Sequence, residues 1–255
     1  DTPLPPGSST SVLAGRSARQ RTAGRRRGKL GALPKPIATK SAARELDHDW
    51  MHVTAYPYVD AEGKLVQEVI REECTSCELG RHKQFRQVFI SPLGRRVKQK
   101  PREFRSVLYR LPQILEAIAA GQAIWLLEGE KDVDTAEQLG LVATTNAQGG
   151  RSFPPECAEI FHEVTVRIVL DRDDAGWNRG IDLASLLGGV GAHVQLLLPA
   201  TLEPKSDFSD HVLAGKWRGD DEFGGFIPVN AGEVAAHAYA GAVRGKHLLV
   251  EKAAA

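Results

Sequence analysis

Cysteine is scarce in this chain. Cys74, Cys77 and Cys157 are its only three, too few for a disulfide framework, and 255 residues need none to build a core. A reducing compartment is the expectation. Long apolar runs are missing as well: no stretch approaches the roughly eighteen residues of a membrane span, and the N-terminus lacks the apolar segment of a secretory signal. A cytoplasmic location with no membrane partner is expected. No GxxxxGK[ST] motif occurs, which excludes a P-loop motor within these residues. Methionine is reduced to Met51 and the chain opens at Asp1, so it reads as a portion of a longer product with flanking domains expected.

Charge is plentiful and unevenly placed. The net charge is +1, yet ten of the 33 Lys and Arg fall in residues 1–45 against only Asp1 and Glu45. A basic arm rich in Pro, Gly, Ser and Ala, with Arg25, Arg26, Arg27 and Lys29 at its centre, precedes a mildly acidic body. Its low hydrophobicity predicts disorder over 1–47, and its charge suits phosphate contacts or simply a solvated linker. From His52 to about Phe89 the pattern has period two, with a turn at Ala61 to Lys64, and predicts a small antiparallel unit over 48–106. A basic stretch follows, Arg95 to Arg110, interleaved with Phe104 and Tyr109. It suits single-stranded nucleic acid, with a solvated loop as the alternative.

Cys74 and Cys77 form a lone CxxC, with His82 five residues further on. Structural zinc takes four ligands, usually from two such pairs. Zinc is therefore not expected, although His82 and one further group would complete a site, and a thiol-bearing hairpin tip is the alternative. His48, His52 and His211 are scattered and read as non-ligands.

Beyond Pro112, helical and strand-like segments alternate: QILEAIAAG, AIWLLE, a helix from Asp132, LVATTN, a helix from Pro154, VTVRIVL, a helix from Ala175 and AHVQLLLP. Such alternation predicts a parallel sheet flanked by helices, an α/β unit over 107–215. Residues 216–255, with a weak helix at Ala231 to Val243, read as a tail or linker. Two of the apolar runs end in acid. AIWLLEGEKD carries Glu128, Glu130 and Asp132, and VTVRIVLDRDDAG carries Asp171, Asp173 and Asp174. In open α/β sheets ligands bind beyond the carboxyl ends of strands, and gathered carboxylates repel unless a cation or a shared proton intervenes. A divalent-metal site is the expectation, with magnesium as the hard cation that carboxylates favour and manganese as a substitute. Asp171 and Asp173 share a side if the strand continues through them, and Glu128 either ligates or serves as general base. Each acid also favours a helix N-terminus, the competing explanation.

As a set these residues resemble the TOPRIM domain of topoisomerases, bacterial and phage primases and some nucleases. Glu128 matches its conserved glutamate, Asp171 and Asp173 its DxD, and Asp132 and Asp207 the further acids used in the primase branch. EGEKD, ATTN followed by glycines 149 and 150, DxDxAG and KxDxSD are spaced as in phage and plasmid primases or primase-helicases. Tyr56, Tyr58, Gly63, Arg71, Lys83, Phe85 and VLYRLP resemble the subdomain that precedes TOPRIM there. The resemblance implies a TOPRIM-type parallel sheet preceded by a small antiparallel β-rich subdomain. It also implies magnesium-dependent nucleotidyl transfer on a single-stranded DNA template with nucleoside triphosphates, beside a replicative helicase. Glu128, Asp171 and Asp173 are then catalytic, and Asp132 and Asp207 complete the metal set. Lys131, Arg71, Lys83 and Arg110 are expected to hold phosphate or template backbone, a surface ion pair being the alternative for each. A nuclease using the same acids and a non-catalytic nucleic-acid adaptor are the competing functions.

Overall fold

Period-two segments pair as their pattern predicts. In the computed structural model, which describes residues 48–77, 82–147 and 153–238, β1 (Met51–Val59), β2 (Leu65–Cys74), β3 (His82–Ile90) and β4 (Arg96–Val97) form an antiparallel meander in chain order. Gly63, at φ 80°, makes the first turn, and the Lys64 N–H donates to Asp60 Oδ1 at 2.8 Å. The basic arm, glycines 149 and 150, and the part of the expected C-terminal helix beyond residue 238 lie outside the described residues.

The second sheet is built from runs that are apolar on both faces. α1 (Leu111–Ala119) leads into β5 (Ile124–Leu126), α2 (Glu130–Gln138), β6 (Ala143–Thr144), α3 (Pro155–Ala158), β7 (Thr165–Val169), α4 (Asp174–Gly189), β8 (His193–Leu198), α5 (Phe208–Leu213) and β9 (Ile227–Val229). Sheet order is β6-β5-β7-β8-β9, parallel except for β9, which pairs antiparallel with β8. Alternate residues face opposite cores. Ile124, Leu126, Val166 and Ile168 pack with Ile114 of α1 and with Leu183 and Leu187 of α4. Trp125, Leu127, Val169 and Leu197 pack with Val133 and Ala136 of α2 and Phe208 of α5. Tyr56, Tyr58 and Val69 of the antiparallel sheet join this second core, so the described residues form one unit.

The segment read as a tail does more than link. Ile227–Val229 adds the edge strand, Phe226 and Val234 are buried, and residues 231–238 are helical. Three residues including Pro228 carry too little periodicity to register as a strand, and proline is tolerated only because this is the edge. His211, read as a non-ligand, is a fully buried core residue. Its Nδ1 accepts from the Ala200 N–H at 3.1 Å, which leaves Nε2 to donate to the Gly224 carbonyl, and Phe226 stacks on the ring. Burial lowers its pKa, consistent with that neutral tautomer. No described helix is long and apolar enough to cross a membrane.

Candidate active site

Both acidic motifs lie just beyond parallel strands, and the loops hold them with backbone bonds. Glu128 follows β5, where its carbonyl accepts from Thr145 Oγ1 at 2.9 Å. Asp171 follows β7. There the chain leaves the strand at once, with the Asp173 N–H donating back to the Asp171 carbonyl at 2.9 Å. The strand therefore does not continue through the DxD, and its two acids diverge. Asp173 Oδ1 accepts from the Gly176 N–H at 2.8 Å and caps α4.

Other acids converge on Asp171 instead. Arg172 exchanges backbone bonds with the 205–206 loop, its N–H donating to the Ser206 carbonyl and its carbonyl accepting from the Lys205 N–H. This brings Asp207, which caps α5 through a capping box, to the same place. Asp132 reaches it from the first turn of α2 and accepts from both the N–H and the hydroxyl of Ser209. The electrostatics record the gathering. Burial, followed by repulsion from Glu128, Asp132 and Asp207 and a hydrogen bond with Glu128, raises the Asp171 pKa to about 9. Burial, then Asp207, raises Asp132 to about 6 against the opposing Ser209 bonds.

Arg179 was not singled out from sequence. It projects from α4, is buried, and donates Nη2 to the Leu127 carbonyl at 3.0 Å. Burial opposes its charge, while Glu128, Asp171 and Asp132 favour it. An arginine keeps its proton regardless, so a permanent cation underlies the acids. Its signal was present: it stands on the helix that the DxD opens, four residues after Ala175. α4 approaches the site closely because Gly176 and Gly180 face it. A Cβ at Gly176 would meet the Asp171 carbonyl oxygen at 2.3 Å, and one at Gly180 would meet the Leu170 methyls at 2.7 Å.

The basic residues divide. Lys131 and Lys83 are exposed. Arg71 is paired with Glu73, and Arg110 with Asp134 at 2.8 Å and with Glu137, its guanidinium also lying over Tyr109. For these two the ion-pair alternative describes the geometry. Tyr109 is buried rather than offered to a base, and Phe104 packs edge-on against Phe89 under Lys100. A cleft between the two sheets is lined by Gln67, Gln87, Lys100, Phe104 and Asn146.

Glu130, the third acid of its motif, is structural. Tyr58 donates to its Oε1 at 2.8 Å in a buried bond joining the antiparallel sheet to α2, and burial raises its pKa. Tyr58→Phe strands this carboxyl, and the expected cost is about 1–3 kcal/mol. Urea unfolding with an unchanged m-value checks it, and a midpoint equal to wild type would count against the bond.

Among the described residues, one group of three metal-ligating side chains has its ligand atoms within 4.8 Å of one another: His48, Cys74 and Cys77. His48, read from sequence as a non-ligand, thus stands beside the CxxC pair.

No family model matches the chain, and no curated protein matches it. Solved structures are similar at low identity. The catalytic core of E. coli primase is 17% identical with a TM-score of 0.45, over 68% of this chain and 52% of that one. The zinc-binding and RNA polymerase domains of Aquifex aeolicus primase are 18% identical at 0.43, over 62% and 36%. The RNA polymerase domain of Mycobacterium tuberculosis primase is 18% identical at 0.41, over 62% and 50%. The chain spans about half or less of these three.

Proposed function

We propose that this chain is a primase-like enzyme of TOPRIM type, joining ribonucleotides into RNA primers on single-stranded DNA in replication of phage or plasmid type. One observation carries the reading: where two parallel strands end, burial together with the carboxylates of Glu128, Asp132 and Asp207 opposes ionisation of Asp171, and burial with Asp207 opposes that of Asp132. Carboxylates held at this cost are the donor set a hard divalent cation takes. Magnesium, or manganese in its place, would be held by Glu128, Asp171 and Asp173, with Asp132 and Asp207 completing the set of oxygen donors. When bound it neutralises phosphate charge and aligns the attacking hydroxyl.

The chain's own residues do the rest. Glu128, hydrogen-bonded to Asp171, accepts the proton of the attacking hydroxyl. Arg179 holds the Leu127 carbonyl, and with it the start of the Glu128 loop, in position. Lys131 faces solvent beside the acids and takes phosphate, while Lys83 and the exposed Arg102 and Arg105 offer a track for template backbone. Arg71 and Arg110 are held by Glu73 and by Asp134 and Glu137, so phosphate would have to compete with these carboxylates for them. A replicative helicase is the proposed partner.

The test uses purified chain, magnesium, single-stranded template and labelled nucleoside triphosphates. Short RNA products that need both template and metal support the reading. A shortened template in their place makes the protein a nuclease, and binding with neither product makes it an adaptor.

A further inference from the structure

The second place where metal-ligating groups gather lies at the β2–β3 end of the antiparallel sheet, built without any residue of the acidic site. Cys74 closes β2 and is buried, and Cys77 follows three residues later; neither is in a disulfide. His82 opens β3 directly opposite Cys74 in the antiparallel register, where paired Cβ atoms lie about 4.5–5.5 Å apart. His48 arrives from the other side, just ahead of β1, whose Met51 pairs with Glu73. The ligand atoms of His48, Cys74 and Cys77 lie within 4.8 Å of one another, and the His48 and His82 rings are 5.0 Å apart between centroids. Two ring nitrogens here, His48 Nδ1 and His82 Nε2, are buried without a hydrogen-bond partner. Buried polar atoms are nearly always satisfied, and two orphaned imidazole nitrogens in the neighbourhood of a thiol pair call for a shared Lewis acid.

We infer that His48, Cys74, Cys77 and His82 form a structural zinc site of two thiolates and two imidazoles. Thiolate with imidazole in a tetrahedral set selects zinc over the hard cations that suit carboxylates. Zinc–sulfur bonds of about 2.3 Å and zinc–nitrogen bonds of about 2.0–2.1 Å place ligand atoms roughly 3.3–3.8 Å apart, so side-chain rotation closes the His48, Cys74 and Cys77 group by about 1 Å, and His82 swings in from its position opposite Cys74. The site fastens the segment that enters β1 to the far end of the β2–β3 pair. It needs no second CxxC, because one histidine comes from the segment ahead of β1 and the other from the start of β3 rather than from a repeat of the motif.

Metal analysis of the full chain, purified without chelator and with any affinity tag removed, is expected to find about one zinc per chain. Cys74→Ser with Cys77→Ser loses it, and His48→Ala and His82→Ala each weaken zinc retention against a competing chelator by roughly tenfold or more. A second measurement uses wild type alone and so does not depend on the folding of a cysteine variant. Cobalt added to zinc-stripped protein should give the intense visible bands of tetrahedral thiolate ligation, and one equivalent of zinc should abolish them. Zinc well below stoichiometry without cobalt bands, zinc retained in the double cysteine variant, or a Cys74–Cys77 disulfide found by mass spectrometry each overturns the site. Full retention in His82→Ala removes His82 as fourth ligand. None of these outcomes depends on whether the chain makes primers.

Discussion

Asp171→Asn is expected to lower magnesium-dependent primer synthesis on the order of a hundred- to a thousandfold and, in the same protein, to raise stability when metal is withheld. The two effects share one cause. In the folded chain the Asp171 carboxyl holds its proton up to about pH 9, because burial and the carboxylates of Glu128, Asp132 and Asp207 oppose its ionisation. Unfolded, it ionises near pH 3.9. A folded-state pKa raised above the unfolded one contributes stability that is fully present below the unfolded value and is lost as pH rises through the folded one. Metal-free wild type should therefore lose stability steadily from about pH 4 to about pH 9. Asparagine cannot ionise, so the variant's loss over that window is smaller, and near pH 8 it should exceed wild type by about 1–2 kcal/mol.

Magnesium, bound as proposed, is expected to reverse the order. Ligand at a hundred times its dissociation constant stabilises wild type by about 2.7 kcal/mol, and the variant gains far less. Thermal melts at several pH values, with chelator and with magnesium, measure both. Parallel pH profiles for the two proteins, or a metal-free variant less stable than wild type near pH 8, would sink the claim that this acid is held at an energetic cost for a cation.

Gly176→Ala is the substitution expected to harm both fold and site most from outside the acids. Its new Cβ would sit 2.3 Å from the Asp171 carbonyl oxygen, and backbone cannot swing away as a side-chain tip can. Either α4 retreats from the sheet or the Asp171 turn shifts. A loss of roughly 1–3 kcal/mol is expected, with weaker primer synthesis even at temperatures where the variant is folded. Gly180→Ala on the same face meets the Leu170 side chain rather than backbone, and a side chain can rotate, so it should cost less. Gly188→Ala, with open space around it on the same helix, should gain about 0.4–1 kcal/mol through the unfolded state. Urea unfolding of the three variants in parallel checks the ranking, and a Gly176→Ala protein as stable as wild type would refute the close approach.

Much of the architecture was legible along the chain because its signals are local. Period two marked β1, β2 and β3, and continuous apolar runs marked the four parallel strands with glycines and prolines between them. β9 was not legible, since three residues at a sheet edge carry no period of their own. Nor was the shared core: nothing local reveals that Tyr58 reaches across 72 residues to Glu130.

The sequence by itself determined that carboxylates stand where two buried strands end, because strand length, apolar runs and the acids that stop them are adjacent in the chain. Which carboxylates meet was decided only by tertiary structure. Asp171 and Asp173 are two residues apart, yet the strand stops and the second turns to cap α4. Asp132 and Asp207 are 75 residues apart, yet both repel Asp171, because α2 and the 205–207 loop are packed beside the same turn. The same holds for Arg179 beneath the acids and for His48 beside Cys74 and Cys77. Distance along the chain sets what a residue is able to form locally, and packing of a common core sets what it touches.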